Sequence, residues 1–295
     1  VNRTHDDRLA RETIIAASLP DEVGYPRIVA RGGKPGEDWL VSERVPGSPL
    51  AHRWPEMDPT ARHRAIQQLA DRLRALHRIP APADLPPLSG TPQLLEAGAV
   101  DPTAPLLEAL EHAARLEHVD ALVMQESIEL VERVGGTLQP FTATTLVHGD
   151  VTFENVLWDG ESVTALLDFE WARSGPPDLD LDIVLRCCAY PELHVAAEFE
   201  ATTLAADYAE VPRWLEEAYP ELFAFEDQLD RMRVYSIAYD VRELLAFPPK
   251  VEPANLSPQH PYHRLARVVR RRSYLDERAR GQARGRGRAR TRARP

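Results

Sequence analysis

The clearest helical period lies over 59–79, where Ile66, Leu69, Leu73 and Leu76 recur at spacings of three and four and so share one face. An earlier helix is expected over 4–19. Thr4 is its N-cap, Asp7 at the third position completes a capping-box-like start, and Leu9, Ile14, Ile15, Ala16 and Ala17 supply the apolar side until Pro20 ends it. Two strand candidates follow, 27–30 and 39–45, joined by the turn-rich stretch 31–38 and cut off by Pro46-Gly47. A proline-rich connection from Pro80 to Pro105 leads to helical pattern over 106–134, in one piece or two. The period then changes to short apolar runs at 144–147, 155–158 and 163–168, which read as buried strands. Beyond Pro177 the pattern is helical to about Phe247, with breaks expected near Pro191, Pro212 and Pro220. No segment repeats.

Composition narrows the class. With 295 residues, 43% of them hydrophobic, the chain can bury the core of one large domain or two modest ones. No apolar run approaches the roughly 18–20 residues that cross a bilayer, and the first residues lack the pattern of a secretory leader. Cys187 and Cys188 are adjacent, a poor arrangement for a disulfide, and are read as reduced. Together these features give the expectation of a cytoplasmic protein with no membrane partner. The net charge of −11 conceals two regions: 264–295 holds 13 arginines against Asp276 and Glu277, a balance of +11, so the remainder carries −22. The glycine-arginine run from Gly281 is expected to be a solvated, largely disordered tail. Such a tail can touch phosphate backbones without sequence preference. Tyr274 alone could stack on bases there, so nucleic acid is expected at most as a weak, non-specific contact.

The chemistry concentrates in Leu146-Val147-His148-Gly149-Asp150-Val151-Thr152-Phe153-Glu154-Asn155, followed on the far side of a hairpin by Leu166-Leu167-Asp168-Phe169-Glu170. Phosphoryl transfer needs a carboxylate beside the acceptor hydroxyl and oxygen ligands for the magnesium that bridges the phosphates. Asp150 can accept or orient the acceptor proton, Asn155 can offer an amide oxygen, and Asp168 can offer a carboxylate. A polar turn would explain Asp150 and Asn155 taken alone. The whole pattern, strand, His-Gly-Asp, Asn five residues after the aspartate, strand, then Asp-Phe, is the spacing of a kinase catalytic loop and metal segment, with Glu170 where a glycine is usual.

This segment resembles the aminoglycoside phosphotransferase and choline kinase-like enzymes, which share the protein kinase-like fold. The downstream Gly175-Pro176-Pro177-Asp178-Leu179-Asp180-Leu181 resembles the same family's glycine-proline element. The resemblance implies an ATP- and Mg²⁺-dependent transfer to a hydroxyl of a small molecule, for which an amine-rich aminoglycoside-type antibiotic is one candidate. It implies Asp150 as catalytic base, Asn155 and Asp168 as metal ligands, His148 as a scaffold of the loop and Asp180 as the acceptor that holds it. An N-cap for the following helix is the alternative role of Asp180. His77 is read as structural. The stretch 39–47 resembles the hinge strand, whose backbone around Glu43 and Val45 would bind adenine, and Glu12 matches the helix glutamate that pairs a phosphate-binding lysine.

The expected fold is therefore α+β: a two-lobed kinase-like architecture with a truncated N-terminal lobe over 1–45, a mostly helical catalytic lobe over 46–263 and a basic, largely disordered tail over 264–295. The truncation is expected because no lysine precedes Glu12. Lys34 and Lys250 both follow it, and the glycines around Lys34 read as a hairpin turn because they match no Walker spacing. A rival reading is a degenerate, non-catalytic kinase-like binding protein. Retention of Asp150, Asn155 and Asp168 argues against it.

Overall fold

The computed structural model describes residues 6–34, 36–88, 93–142 and 144–281. Its helices and strands, in chain order, are α1 (Arg8–Ser18), β1 (Ile28–Gly32), β2 (Trp39–Ser42), β3 (Ser48–Pro49), α2 (Leu50–Arg53), α3 (Pro59–Leu76), α4 (Ala104–Ala113), α5 (Ala121–Val134), β4 (Leu146–Val147), β5 (Val156–Trp158), β6 (Val163–Leu166), β7 (Arg173–Ser174), α6 (Asp178–Ala189), α7 (Val211–Ala218), α8 (Gln228–Ala246) and α9 (Pro261–Val269). They fall into two compact units, one within Val1–Thr91 and Phe141–Phe225, the other within Pro92–Pro140 and Glu226–Pro295.

In the first unit, α3 is built as its period predicts. Asp58 caps it by accepting the Thr60 and Ala61 amides at 2.8 and 2.9 Å, Pro59 opens the first turn, and Ile66, Leu69, Leu73 and Leu76 are buried with Ala65 and Ala70. Helix α1 differs from expectation. It starts at Arg8; Thr4 lies outside the described residues, and Asp7 precedes the helix with no capping bond. Asp6 accepts the Arg8 amide instead, at 3.2 Å. Of the expected apolar side only Ile15 is buried, and its partner one turn earlier is Arg11. β1 and β2 pair antiparallel, with Gly32 opposite Trp39. The connecting glycines form a hairpin turn: Gly33 has φ +90°, and Lys34 pairs with Glu37 at 3.3 Å on the surface.

Two small ladders carry the middle of the chain. β5 pairs antiparallel with both β3 and β6, and β4 pairs with β7. The strand expected from Asn155 begins one residue later, because Phe153–Asn155 is a single 3₁₀ turn. Beyond β7 the helical expectation is corrected over 191–210, where only isolated 3₁₀ turns separate α6 from α7, and Pro212 opens α7 rather than breaking a helix.

The second unit packs α4, α5, α8 and α9 together. Part of the expected disordered tail belongs to it. Arg264 donates to Asp240 at 2.7 Å and Arg233 to Asp276 at 2.6 Å, all four side chains at most 8% exposed, and Leu265, Val268 and Leu275 are buried beside them. Arginine content hides this because paired guanidinium groups can be buried. Residues 282–295 lie outside the described residues. No described helix is long and apolar enough to cross a membrane.

Leu69 is fully buried in α3. Leu69→Ala should lower unfolding stability by about 2–5 kcal/mol, the usual cost of a truncated core leucine, as read from denaturant midpoints at unchanged slope.

Candidate functional site: a carboxylate-rich catalytic loop

All the residues singled out by the motif fall in the first unit. The loop 148–155 leaves β4 and enters β5. Asp168 follows β6 by two residues. The Val156–Leu166 register, together with the Leu167 amide donating to the Asn155 carbonyl at 2.8 Å, sets the loop's end beside the metal segment.

Asp180 holds the loop's beginning. It lies in the first turn of α6, where Pro177 rather than Asp180 occupies the cap position, and it is completely buried. One carboxylate oxygen accepts the Gly149 amide at 2.8 Å. The other accepts the His148 amide at 2.8 Å and His77 Nε2 at 3.0 Å. Burial opposes its charge, but these donors and the neighbouring histidines prevail and keep its pKa below the usual value. His77 reaches the Tyr219 hydroxyl with its other nitrogen, at 3.2 Å. His148 accepts the Asp150 amide on Nδ1 at 3.3 Å and donates from Nε2 to the Leu167 carbonyl at 2.9 Å, so its ring joins the catalytic loop to the metal segment. Burial lowers the His148 pKa, favouring the neutral tautomer that those two bonds require. Gly149 has φ +83°, and a β-carbon there would collide with the Trp171 carbonyl and the Arg173 guanidinium.

Asn155 donates its amide nitrogen to the Asp150 carbonyl at 2.8 Å and to Asp150 Oδ2 at 3.0 Å. That commits the nitrogen and leaves the amide oxygen for a cation. The Asp150 carboxyl is pushed up to about 7 by burial and by the charge of Asp168, against the pull of the Asn155 bond. Asp168, in the left-handed region at φ 61°, is also raised, first by burial and then by Glu170. Crowded, half-desolvated carboxylates with an amide oxygen among them form a hard-oxygen donor set that a divalent cation would relieve. Among the described residues, no three His, Cys, Asp or Glu side chains form a self-sufficient metal cluster. Asn155 and Asp168 therefore fit a magnesium ion that draws its other ligands from phosphate and water.

One face of α1 grips the four residues after Asp168. Arg8 pairs with Glu170 at 3.1 Å and lies over the Trp171 ring, Arg11 donates to the Ala172 carbonyl at 2.6 Å, and Glu12 accepts from the Phe169 backbone. Glu12 also accepts the Tyr25 hydroxyl at 2.9 Å, and its pKa is raised chiefly by burial. Glu12 thus sits against the metal segment and is bound by a phenol. At the expected hinge, Glu43 pairs with Arg27 and its amide donates to the Arg27 carbonyl at 2.9 Å, which commits that N–H within the hairpin. Sequence reasoning missed Arg8, Arg11 and Tyr25. A usable signal was Arg11 sharing the buried side of α1 with Ile15.

Residues 4–215 match the family model described as "Phosphotransferase enzyme family". The chain is 30% identical over 165 residues to the aminoglycoside 3'-phosphotransferase of Streptomyces fradiae, covering 55% of this chain and 57% of that protein. It is 28% identical over 178 residues to that of Streptomyces ribosidificus, covering 58% and 61%. The chain thus spans less than two-thirds of the length of these curated relatives. Among solved structures, aminoglycoside-3'-phosphotransferase of type VIII aligns with a TM-score of 0.50 at 25% identity, over 79% of this chain and 80% of that one. ADP-bound aminoglycoside phosphotransferase APH(2'')-Ib aligns with 0.57 at 14%, over 90% and 84%. APH(4)-Ia in ternary complex with AMP-PNP and hygromycin B aligns with 0.55 at 16%, over 91% and 84%. The neighbours share the protein kinase-like fold, and with a family match across more than two-thirds of its length, the chain belongs to the phosphotransferase enzyme family.

Proposed function

We propose that this protein transfers the γ-phosphoryl group of ATP to a hydroxyl of a small, amine-bearing molecule of the aminoglycoside type. The observation that carries the reading is the half-buried Asp150 carboxyl, bonded to Asn155 and raised to about 7. A base with a pKa near working pH is matched to taking a hydroxyl proton. The acceptor class rests on the two relatives named aminoglycoside 3'-phosphotransferase and accords with the acidic body of the chain, which attracts cations. In this reading residues 1–45 serve the nucleotide, through the backbone around Glu43 and Val45 and the α1 face that carries Glu12, and residues 46–263 supply the catalytic carboxylate.

Asp150 orients the acceptor hydroxyl and receives its proton as the new O–P bond forms and the bond to ADP breaks. Asn155 fixes the Asp150 carboxylate with its amide nitrogen and would offer its amide oxygen to the metal. His148 and Asp180 keep the loop from relaxing. When bound with the nucleotide, Mg²⁺ supplies charge neutralisation of the phosphates, with Asn155 and Asp168 to hold it. Positioning and electrostatics carry most of the rate in such loose transition states.

Asp150→Asn tests the base. Turnover with the best acceptor in an aminoglycoside, amino alcohol and sugar panel should fall by about two orders of magnitude or more, with Mg-ATP affinity nearly unchanged; full turnover would remove Asp150 from the mechanism. A parent that binds Mg-ATP yet phosphorylates nothing in the panel would favour a binding protein over an enzyme. The same variant has a stability signature. The folded pKa of Asp150, about 7, is above its ordinary 3.8, so the native carboxyl holds its proton more tightly than the unfolded one. Stability is lost as pH rises through that window. Metal-free Asp150→Asn should therefore melt higher than the parent at about pH 8, with the gain shrinking toward about pH 4.

Asp168→Ala should weaken Mg-ATP binding by about tenfold or more in calorimetry, while metal-free nucleotide binding changes little. Equal affinity in parent and variant would take Asp168 out of the metal site.

A further inference from the structure

The catalytic loop has a second partner that its chemistry does not require. In the turn Phe153–Asn155 the three side chains diverge: Phe153 is buried against Trp54 and Tyr208, Asn155 turns to Asp150, and Glu154 leaves in another direction. Glu154 Oε1 lies 2.9 Å from His52 Nε2 and accepts the Ala196 amide at 3.2 Å. The His52 ring stacks on Phe199 with centroids 3.9 Å apart and planes 18° apart. Ala196 and Phe199 lie in the irregular stretch between α6 and α7. Its far end is fastened by the Trp54 indole and Arg62 guanidinium on Asp207, and by Tyr208 stacked on Trp54. The strap 195–208 is thus pinned at both ends to α2, the turn after it and the catalytic loop. Between the pins it has only single 3₁₀ turns, so its position depends on packing against its surroundings, the pins among them, rather than on its own backbone.

We infer that Glu154 is a positioning residue for the acceptor: its bonds to His52 and Ala196 bolt the strap 195–208 to the loop that carries Asp150. The inference rests on the phosphotransferase reading above. In-line transfer sets the acceptor and the departing nucleotide on opposite sides of the moving phosphoryl group. The nucleotide and metal side of Asp150 is taken by Asn155, Asp168 and the segment gripped by α1. Glu154 and Asp150 both act on the buried Cys187 thiol of α6, which burial pushes up to about 12. Their carboxylates therefore flank one part of α6, the helix from whose end the strap departs. A strap fixed there walls the acceptor side of Asp150. It carries Glu198 and Glu200, exposed carboxylates suited to an amine-bearing acceptor.

Glu154→Gln and Glu154→Ala separate the bolt from the charge. The glutamine keeps an oxygen for both the Ala196 amide and the His52 N–H, and the alanine keeps none. With the best acceptor from a panel of kanamycin, neomycin, streptomycin and hygromycin B, Glu154→Ala should raise the acceptor KM about tenfold, the scale of losing the strap's anchoring bonds. Its kcat, KM for ATP and calorimetric Mg-ADP affinity should stay near the parent's. Glu154→Gln should restore the acceptor KM to within about twofold of the parent. Phe199→Ala, which loosens the strap without touching the loop, should reproduce the alanine pattern. An unchanged acceptor KM in both Glu154→Ala and Phe199→Ala overturns the inference, as does a Glu154→Ala variant that loses nucleotide affinity and kcat alongside acceptor KM. A glutamine variant as impaired as the alanine also overturns it, because the carboxylate charge rather than the bolt would then be at work. A parent that binds Mg-ADP but phosphorylates no member of the panel removes the aminoglycoside reading itself, and this inference falls with it.

Discussion

The site depends on one buried anion. Asp180 is removed from water completely, a state that costs a carboxylate several kcal/mol unless donors replace its hydration. It receives three: two successive loop amides and the His77 imidazole. The contacts within the site follow from that fixation. With the His148 and Gly149 amides held, the His148 ring reaches both the Asp150 amide and the Leu167 carbonyl. Asp150 then falls within reach of Asn155, and Asn155 is tied to the residue before Asp168. A residue 30 positions along the chain from Asp150 thus sets the geometry of a site that it does not enter.

The same arrangement loads the site with unfavourable charge. Asp150, Asp168, Glu170 and Glu12 repel one another, and burial raises three of them. The Arg8 pair with Glu170 offsets only part of this, because Arg8 stays partly exposed and is shared with Asp6. A protein selected for stability alone would dilute these groups. Their persistence beside one another makes sense if cations complete the site during turnover, since a cation converts the repulsion into binding energy.

What could be read from the sequence was what lies contiguous in it. The loop and Asp168 fall within 21 residues, so spacing alone carries their chemistry. The α3 face was legible for the same reason: one helix, one period. Contacts that depend on distant partners left almost no trace. Arg11 meets the Ala172 carbonyl across 161 positions and His52 meets Glu154 across 102, and neither pairing has a local pattern. The basic segment after Arg264 was misread because composition is blind to pairing. Arg264 and Arg233 are buried on Asp240 and Asp276, and the apolar Leu265, Val268 and Leu275 are interleaved with enough arginine to mask their period.

The division between the legible and the hidden has a physical origin in how the two sides of the reaction are built. Transfer chemistry demands a fixed set of oxygen atoms at fixed separations, which a short loop between two strand pairs supplies with little help from elsewhere. Acceptor selection demands a wall of adjustable shape, and under the proposed reading the irregular strap 195–208 would meet that need because few of its own backbone bonds resist change. A wall so lightly self-supported must borrow rigidity, and it borrows from the catalytic loop through Phe153 and Glu154. Replacing strap residues can then alter what is accepted while the loop keeps its geometry, whereas a change at the bolt is felt on the acceptor side first.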